Sequence, residues 1–161
     1  MRQVLDRLDL TLNETKTRIV DARQESFNFL GFEIRVSKGW KTGKSYEHIC
    51  PAAKSLAKIK ERITQLTGRE RTPIPIEKIV GSVNASLRGW TNYFHYRNSS
   101  GVLKKLRTHA EERLRAHLMK RHKVKERGAG LGRYPSKVLY TRYGLYKVPA
   151  TAGWKTAHAS A

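Results

Sequence analysis

The residues that hold metals and cross-link chains are nearly missing from this sequence. One cysteine, Cys50, stands among 161 residues, which excludes an internal disulfide or a cysteine-rich zinc finger and fits a reducing compartment. Aspartate occurs only at positions 6, 9 and 21, never as an adjacent pair. Polymerase and nuclease chemistry on phosphodiesters gathers carboxylates around two metal ions about 4 Å apart, so no resident two-metal site is expected. Asp6 and Asp9, spaced i,i+3 beside Arg2 and Arg7, read as surface charges. Long apolar runs are lacking too. Nothing approaches the roughly 18 residues needed to span a bilayer, and Met1 to Leu10 is broken by four charges, so neither a membrane segment nor an export signal is expected. Repeats and low-complexity tracts are absent.

Acidic side chains are also scarce. Against 33 Lys plus Arg stand 13 Asp plus Glu, a net charge of +20 that exceeds any need of solubility. Residues 1 to 36 hold six of each sign, so the whole excess lies beyond them. Between Arg97 and Lys147 there are 15 basic residues, offset by Glu111, Glu112 and Glu126. A solvated helix face normally mixes the signs, so this density reads as phosphate binding. Glycine and proline interrupt the basic stretch and no long apolar aromatic face accompanies it, which favours nucleic acid over a membrane surface. With 39% apolar residues the chain is too rich in core formers for a disordered basic arm.

Hydrophobic periodicity divides the chain. Val4, Leu5 and Leu8 have helical spacing, ending near Asn13. From Phe27 the period becomes two, with Leu30, Phe32, Ile34 and Val36 on one face, and this predicts a strand. Lys38 to Lys44 is a glycine-punctuated turn, after which Tyr46 to Cys50 returns as the second strand of a hairpin, stopped by Pro51. Three helical stripes follow: Leu56, Ile59, Ile63 and Leu66 before a stop at Gly68; Ile76, Ile79, Val80, Val83, Leu87, Trp90 and Phe94 after Pro73 and Pro75; and Leu103, Leu106, Ala110, Leu114 and Leu118 within a helix from about Gly101 to His122. Three such stripes can be buried together. The remainder, with Pro135 and Pro149, predicts few long elements. The expected fold is α+β: a hairpin-bearing segment over 1–50, a three-helix bundle over 51–125 and a loop-rich basic extension over 126–161.

Other constellations carry less. His48 and Cys50 can share a strand face, but no second ligand pair lies nearby, and His109, His117 and His122 lack the glutamate of helical zinc hydrolases. No metal or cofactor is expected. Gly128-Ala129-Gly130-Leu131-Gly132 reads either as flexible backbone near phosphate or as a simple loop. Tyr140, Tyr143 and Tyr146 suit either base stacking or the core, whereas Trp90 and Phe94 extend an apolar stripe and read as core.

Specific strings add a resemblance. Leu12-Asn13-Glu14-Thr15-Lys16-Thr17 and Phe29-Leu30-Gly31-Phe32-Glu33-Ile34 resemble the last motif blocks of a group II intron reverse transcriptase palm. Arg88-Gly89-Trp90-Thr91-Asn92-Tyr93-Phe94 resembles the signature of the maturase-specific region, also called domain X or thumb. Tyr143-Gly144-Leu145-Tyr146 and Ala152-Gly153-Trp154-Lys155 are similar to the C-terminal ends of such proteins. The resemblance makes 1–50 the end of the palm and 51–125 the thumb. It places Lys16 near an incoming nucleotide, and Phe29, Leu30, Gly31 and Phe32 in the primer-grip neighbourhood. The family's paired catalytic aspartates belong upstream of these blocks, so no polymerisation is expected from this chain alone.

The resemblance implies an RNA-binding maturase module that helps intron RNA fold and splice, the RNA supplying the chemistry. The alternative is a C-terminal subunit that completes RNA-directed DNA polymerase activity with a separate fingers and palm polypeptide, or a non-functional remnant. Candidate RNA contacts are Arg88, Arg97, Lys104, Lys105, Arg107, Arg113, Lys120, Arg121, Arg133, Tyr143 and Lys147. The partner expected is structured group II intron RNA, in a bacterial-type cytoplasm, associated with RNA or nucleoid.

Overall fold

The computed structural model describes residues 20–125 and 128–152. The helix expected over residues 2–10, Lys16 and Trp154 lie outside that range.

Two consecutive positive backbone angles, φ 48° at Leu30 and 82° at Gly31, fold what alternation presents as one strand into two. Both central residues of a two-residue hairpin loop need positive φ when the turn follows the twist of its strands. β1 (Phe27–Phe29) therefore pairs antiparallel with β2 (Phe32–Lys38), Phe29 facing Phe32. Leu30, expected on the face of Phe32, Ile34 and Val36, instead sits in the turn and is exposed. β2 pairs with β3 (Ser45–Pro51) from Phe32↔Pro51 to Lys38↔Ser45, so the expected hairpin becomes a three-stranded sheet of order β1-β2-β3.

Pro51 ends the ladder, and α1 (Ala53–Leu66) begins two residues later. It ends at Thr67, whose hydroxyl donates to the Ile63 carbonyl at 2.7 Å. Gly68 follows in an extended conformation, so it is no left-handed cap, and it opens a short 3₁₀ turn, Arg69–Arg71. Pro75 precedes α2 (Ile76–Phe94), and α3 spans Ser100–Arg121. Their stripes meet as expected: Ile59, Ile63 and Leu66; Val80, Val83 and Leu87; Leu103, Leu106, Ala110, Leu114 and Leu118 form one buried cluster. Fully burying a branched side chain of this kind contributes about 1.5–3 kcal/mol.

The segment after Gly128 departs from the loop-rich expectation. Two short helices, α4 (Ala129–Arg133) and α5 (Ser136–Thr141), carry Tyr134 and Leu139 into the same cluster, and the chain beyond adds Leu145 and Val148. The stripes of three helices leave one side uncovered, and these four residues close it. Gly130 explains part of the glycine run. A β-carbon there would fall 2.4 Å from Met119 Sδ and 3.3 Å from Arg115 Cδ, so the glycine serves close packing of α4 on α3. Residues 129–133 are helical, so the run is not a plain loop. No described helix is long and apolar enough to cross a membrane.

Candidate nucleic-acid interface

Among the described residues, the Phe29–Ile34 and Arg88–Phe94 strings touch one another. Phe32 packs against Phe94 and Tyr93 with ring centroids 5.0 and 5.8 Å away, and Trp90 against Phe94 at 4.5 Å. The Gly31 carbonyl accepts from the Ala52 amide at 2.8 Å and from Ser55 Oγ at 2.9 Å. The Leu30–Gly31 turn is thus fixed on the start of α1 and the end of α2, and sheet and bundle share one junction. Phe29 and Leu30 face outward there, beside Tyr93, with relative exposures of 59%, 67% and 54%.

The basic candidates separate into two kinds. Arg121 Nη1 donates to the carbonyls of Thr72 and Ile74, both at 2.7 Å, and Arg113 donates to Thr67 Oγ1 and the Thr64 carbonyl, both at 3.2 Å. These two, expected on phosphate, point into the α1–α2 connection and tie it to α3. Arg107 lies 3.7 Å from Glu111. Arg115, which sequence reasoning left out, is buried and donates to the Tyr134 carbonyl at 3.0 Å.

Lys104 and Lys105 remain exposed on the outer face of α3. They line a groove of about 400 Å³ together with Lys60, Gly101, Thr108, His109 and Glu112. Positions 101, 104, 105, 108 and 112 lie on one side of a helix with 3.6 residues per turn. Inside the groove His109 donates through Nε2 to the Lys60 carbonyl at 3.1 Å, and burial lowers its pKa. Lys120 borders a second depression with Arg69 and Pro73. Arg97 and Arg133 are exposed, and the Arg97 guanidinium lies 5.6 Å from the Tyr96 ring.

Past α5 the chain is strapped to α2. Asn84 donates through Nδ2 to the Gly144 carbonyl at 2.8 Å and accepts from the Tyr146 amide at 2.7 Å. Arg88 stacks over Tyr146 at 5.1 Å, and Lys147 lies 5.9 Å from the Tyr140 ring. Tyr143 packs edge-on to Tyr134 at 6.3 Å. The three tyrosines are half-buried against the core, Tyr140 most firmly, because its hydroxyl bonds to Glu111. Burial, then that carboxylate, pushes its pKa up. Ser136 Oγ reaches the other oxygen of Glu111 at 2.5 Å.

Residues 56–134 match the model of the group II intron, maturase-specific domain. This part of the chain is a maturase-specific domain. The match runs from within α1 to the residue after α4, covering the three stripes, the Arg88–Phe94 string and the Lys104–Lys105 face. The chain therefore holds the maturase-specific part of a reverse-transcriptase-derived protein. No curated protein matches it.

Among the described residues, no three His, Cys, Asp or Glu side chains gather to hold a metal ion. His48 and Cys50 stand two residues apart on β3 and so share one face of the strand. Burial is the main cause both of the lowered His48 pKa and of the raised Cys50 pKa, the opposite of what a metal-ready thiolate requires.

Sequence reasoning missed several residues. Asn84 and Glu111 act on partners whose positions no local pattern gives. Asn98 accepts from the Ile49 amide at 3.2 Å through Oδ1, while its own amide donates to the Ile49 carbonyl at 2.9 Å, covering that point of the β3 edge. Trp40 was legible as a tryptophan inside a lysine-rich turn, and only its exposure needed the structure.

Proposed function

We propose that this maturase-specific domain binds structured group II intron RNA through its cationic surface and promotes the folding that splicing needs. The RNA supplies the splicing chemistry, and the chain performs no polymerisation of its own. The carrying observation is the imbalance of exposed charge. Among the described residues between Arg97 and Lys147, ten basic side chains are exposed, Lys104, Lys105, Lys120, Lys123, Lys125, Arg133, Lys137 and Arg142 among them, against one exposed acid, Glu112. Structural use of Arg113, Arg115 and Arg121 removes those side chains from the contact set and leaves the lysine-rich faces as the binding surface. Phosphate contacts supply affinity and register, while the shape of the folded RNA supplies choice. Such a protein works where its RNA is, in association with transcripts in a bacterial-type cytoplasm.

The test is binding of the purified chain to a group II intron RNA and to a scrambled RNA of equal length, across a salt series. Tighter binding of the intron at physiological salt supports the proposal, and equal affinities refute the maturase reading. A steep fall of log K with log salt is expected for both.

The outward Phe29, Leu30 and Tyr93 favour a second reading, in which a fingers and palm polypeptide covers this junction and the pair polymerises DNA on RNA. Co-expression with such a fragment should then give a co-purifying complex that extends primers, and failure to associate would refute it.

A further inference from the structure

We propose that Trp40, at the tip of the β2–β3 hairpin, is a stacking finger that takes an unpaired RNA base while the lysines around it hold the flanking phosphates. The inference rests on the RNA-binding reading above and adds a site outside the helical bundle and outside the matched 56–134 region.

Trp40 is 90% exposed, the largest value among the exposed large hydrophobic side chains of the described residues. A ring in that position contributes little to the fold, since it is in water before and after folding, so folding gives no reason for a tryptophan here. The loop holding it is built. The Gly39 amide donates to the Lys44 carbonyl at 2.9 Å, and the Gly43 amide donates to the Gly39 carbonyl at 2.7 Å. Gly43 has φ +64°, and a β-carbon on Gly39 would lie 2.9 Å from Thr42 Oγ1. Gly43 suits that positive φ, Gly39 lies close against Thr42, and below the loop the Lys38↔Ser45 pair closes the ladder. The ring is presented from a braced support.

Charge identifies the occupant. Lys38, Lys41 and Lys44 are all exposed, and no acidic residue occurs from Lys38 to Tyr46. Lys41 Nζ lies 5.3 Å from the Trp40 ring centroid. Ring and ammonium together match the two parts of a nucleotide, a π-face for the base and a cation for the phosphate. Bases inside a continuous A-form helix are stacked already and cannot reach such a ring, so the partner is an internal loop, bulge or single strand.

The experiment compares wild-type chain, Trp40→Ala and Trp40→Phe on two synthetic RNAs of equal length: a continuous duplex, and a stem bearing an internal loop of unpaired adenines. Losing one stacked base lowers affinity about tenfold, so Trp40→Ala should weaken looped-RNA binding by about that factor and leave duplex binding unchanged. Trp40→Phe should keep most of the affinity, and thermal melting should not move. Equal loss on both RNAs, or none on the looped RNA, overturns the stacking role while leaving the RNA-binding reading intact. Failure of the wild-type chain to bind either RNA overturns both. Trp40-dependent binding to anionic phosphatidylglycerol vesicles, without Trp40 dependence on RNA, would assign the finger to a lipid surface and overturn the proposal.

Discussion

Tyr93, the penultimate residue of α2, donates its phenolic hydroxyl to the Leu30 carbonyl at 3.0 Å, across 63 residues of sequence. With Gly31 pressed against Phe94 and Ser55, this bond fixes the sheet to the bundle. Tyr93→Phe removes one partly exposed hydrogen bond and should cost about 1 kcal/mol. Gly31→Ala should cost more, ~2–4 kcal/mol, because a β-carbon there meets Ser55 Oγ at 3.0 Å and Phe94 Cζ at 3.1 Å while φ is +82°. Chemical denaturation of the two variants checks the order.

Lys104 and Lys105 should behave oppositely to Arg121. The double variant Lys104→Gln/Lys105→Gln should make the slope of log K against log salt shallower by about 2, one unit per phosphate contact, with stability unchanged within about 0.5 kcal/mol. Arg121→Ala should destabilise the fold by ~1–3 kcal/mol, since the Thr72 and Ile74 carbonyls lose their donor. Salt-series binding and thermal melting on the same samples distinguish the two roles. A slope that Lys104 and Lys105 do not affect would remove that groove from the interface.

Glu111 holds α5 to α3 through Ser136 and Tyr140. Glu111→Ala should cost about 2 kcal/mol and expose the tail to proteolysis first. Since Tyr140 is pushed up, its phenol should ionise late in an alkaline absorbance titration. Tyr140→Phe should remove that late component, and a titration without one would contradict the bond.

Burial lowers the pKa of His117 and of His109. His117 donates through Nδ1 to the Thr67 carbonyl at 3.3 Å, and its Nε2 is buried without a protein partner. Arg121 and Lys120 press the same way, while the Thr67 and Gly68 backbone opposes. A depressed histidine favours the neutral folded form. Its contribution is therefore complete above the unfolded value, about 6.5, and is lost as pH falls through the folded value. Melting temperature should drop as pH falls from about 7.5 to 5. His117→Asn, which keeps a donor near Nδ1 but cannot titrate, should show a smaller drop, and an equal drop would refute the assignment.

Gly130→Ala should destabilise by about 1–3 kcal/mol, because Met119 Sδ or α4 must move to admit the new carbon. Gly132→Ala, whose β-carbon would meet nothing within 4 Å, is the matched control and should be neutral or slightly stabilising. Thermal melting of the pair reads the difference directly.

The helical stripes were legible because burial and a 3.6-residue period select the same positions, Ile59 and Ile63, Val83 and Leu87, Leu106 and Leu114. The Leu30–Gly31 turn was hidden because apolar residues continue on both sides of it, and only backbone angles reveal the reversal. Arg113 and Arg121 look like Lys104 and Lys105 in sequence. Their carbonyl partners lie 47 to 49 residues away, and no local pattern encodes that distance. The tail was misread for a related reason: Tyr134, Leu139, Leu145 and Val148 follow neither period, and they are buried because a completed bundle offers them a surface.

That closure has a consequence for synthesis. A ribosome delivers α1, α2 and α3 long before Val148 emerges, so for that interval the leucines of α3 have no lid and the half-made polypeptide is at its stickiest.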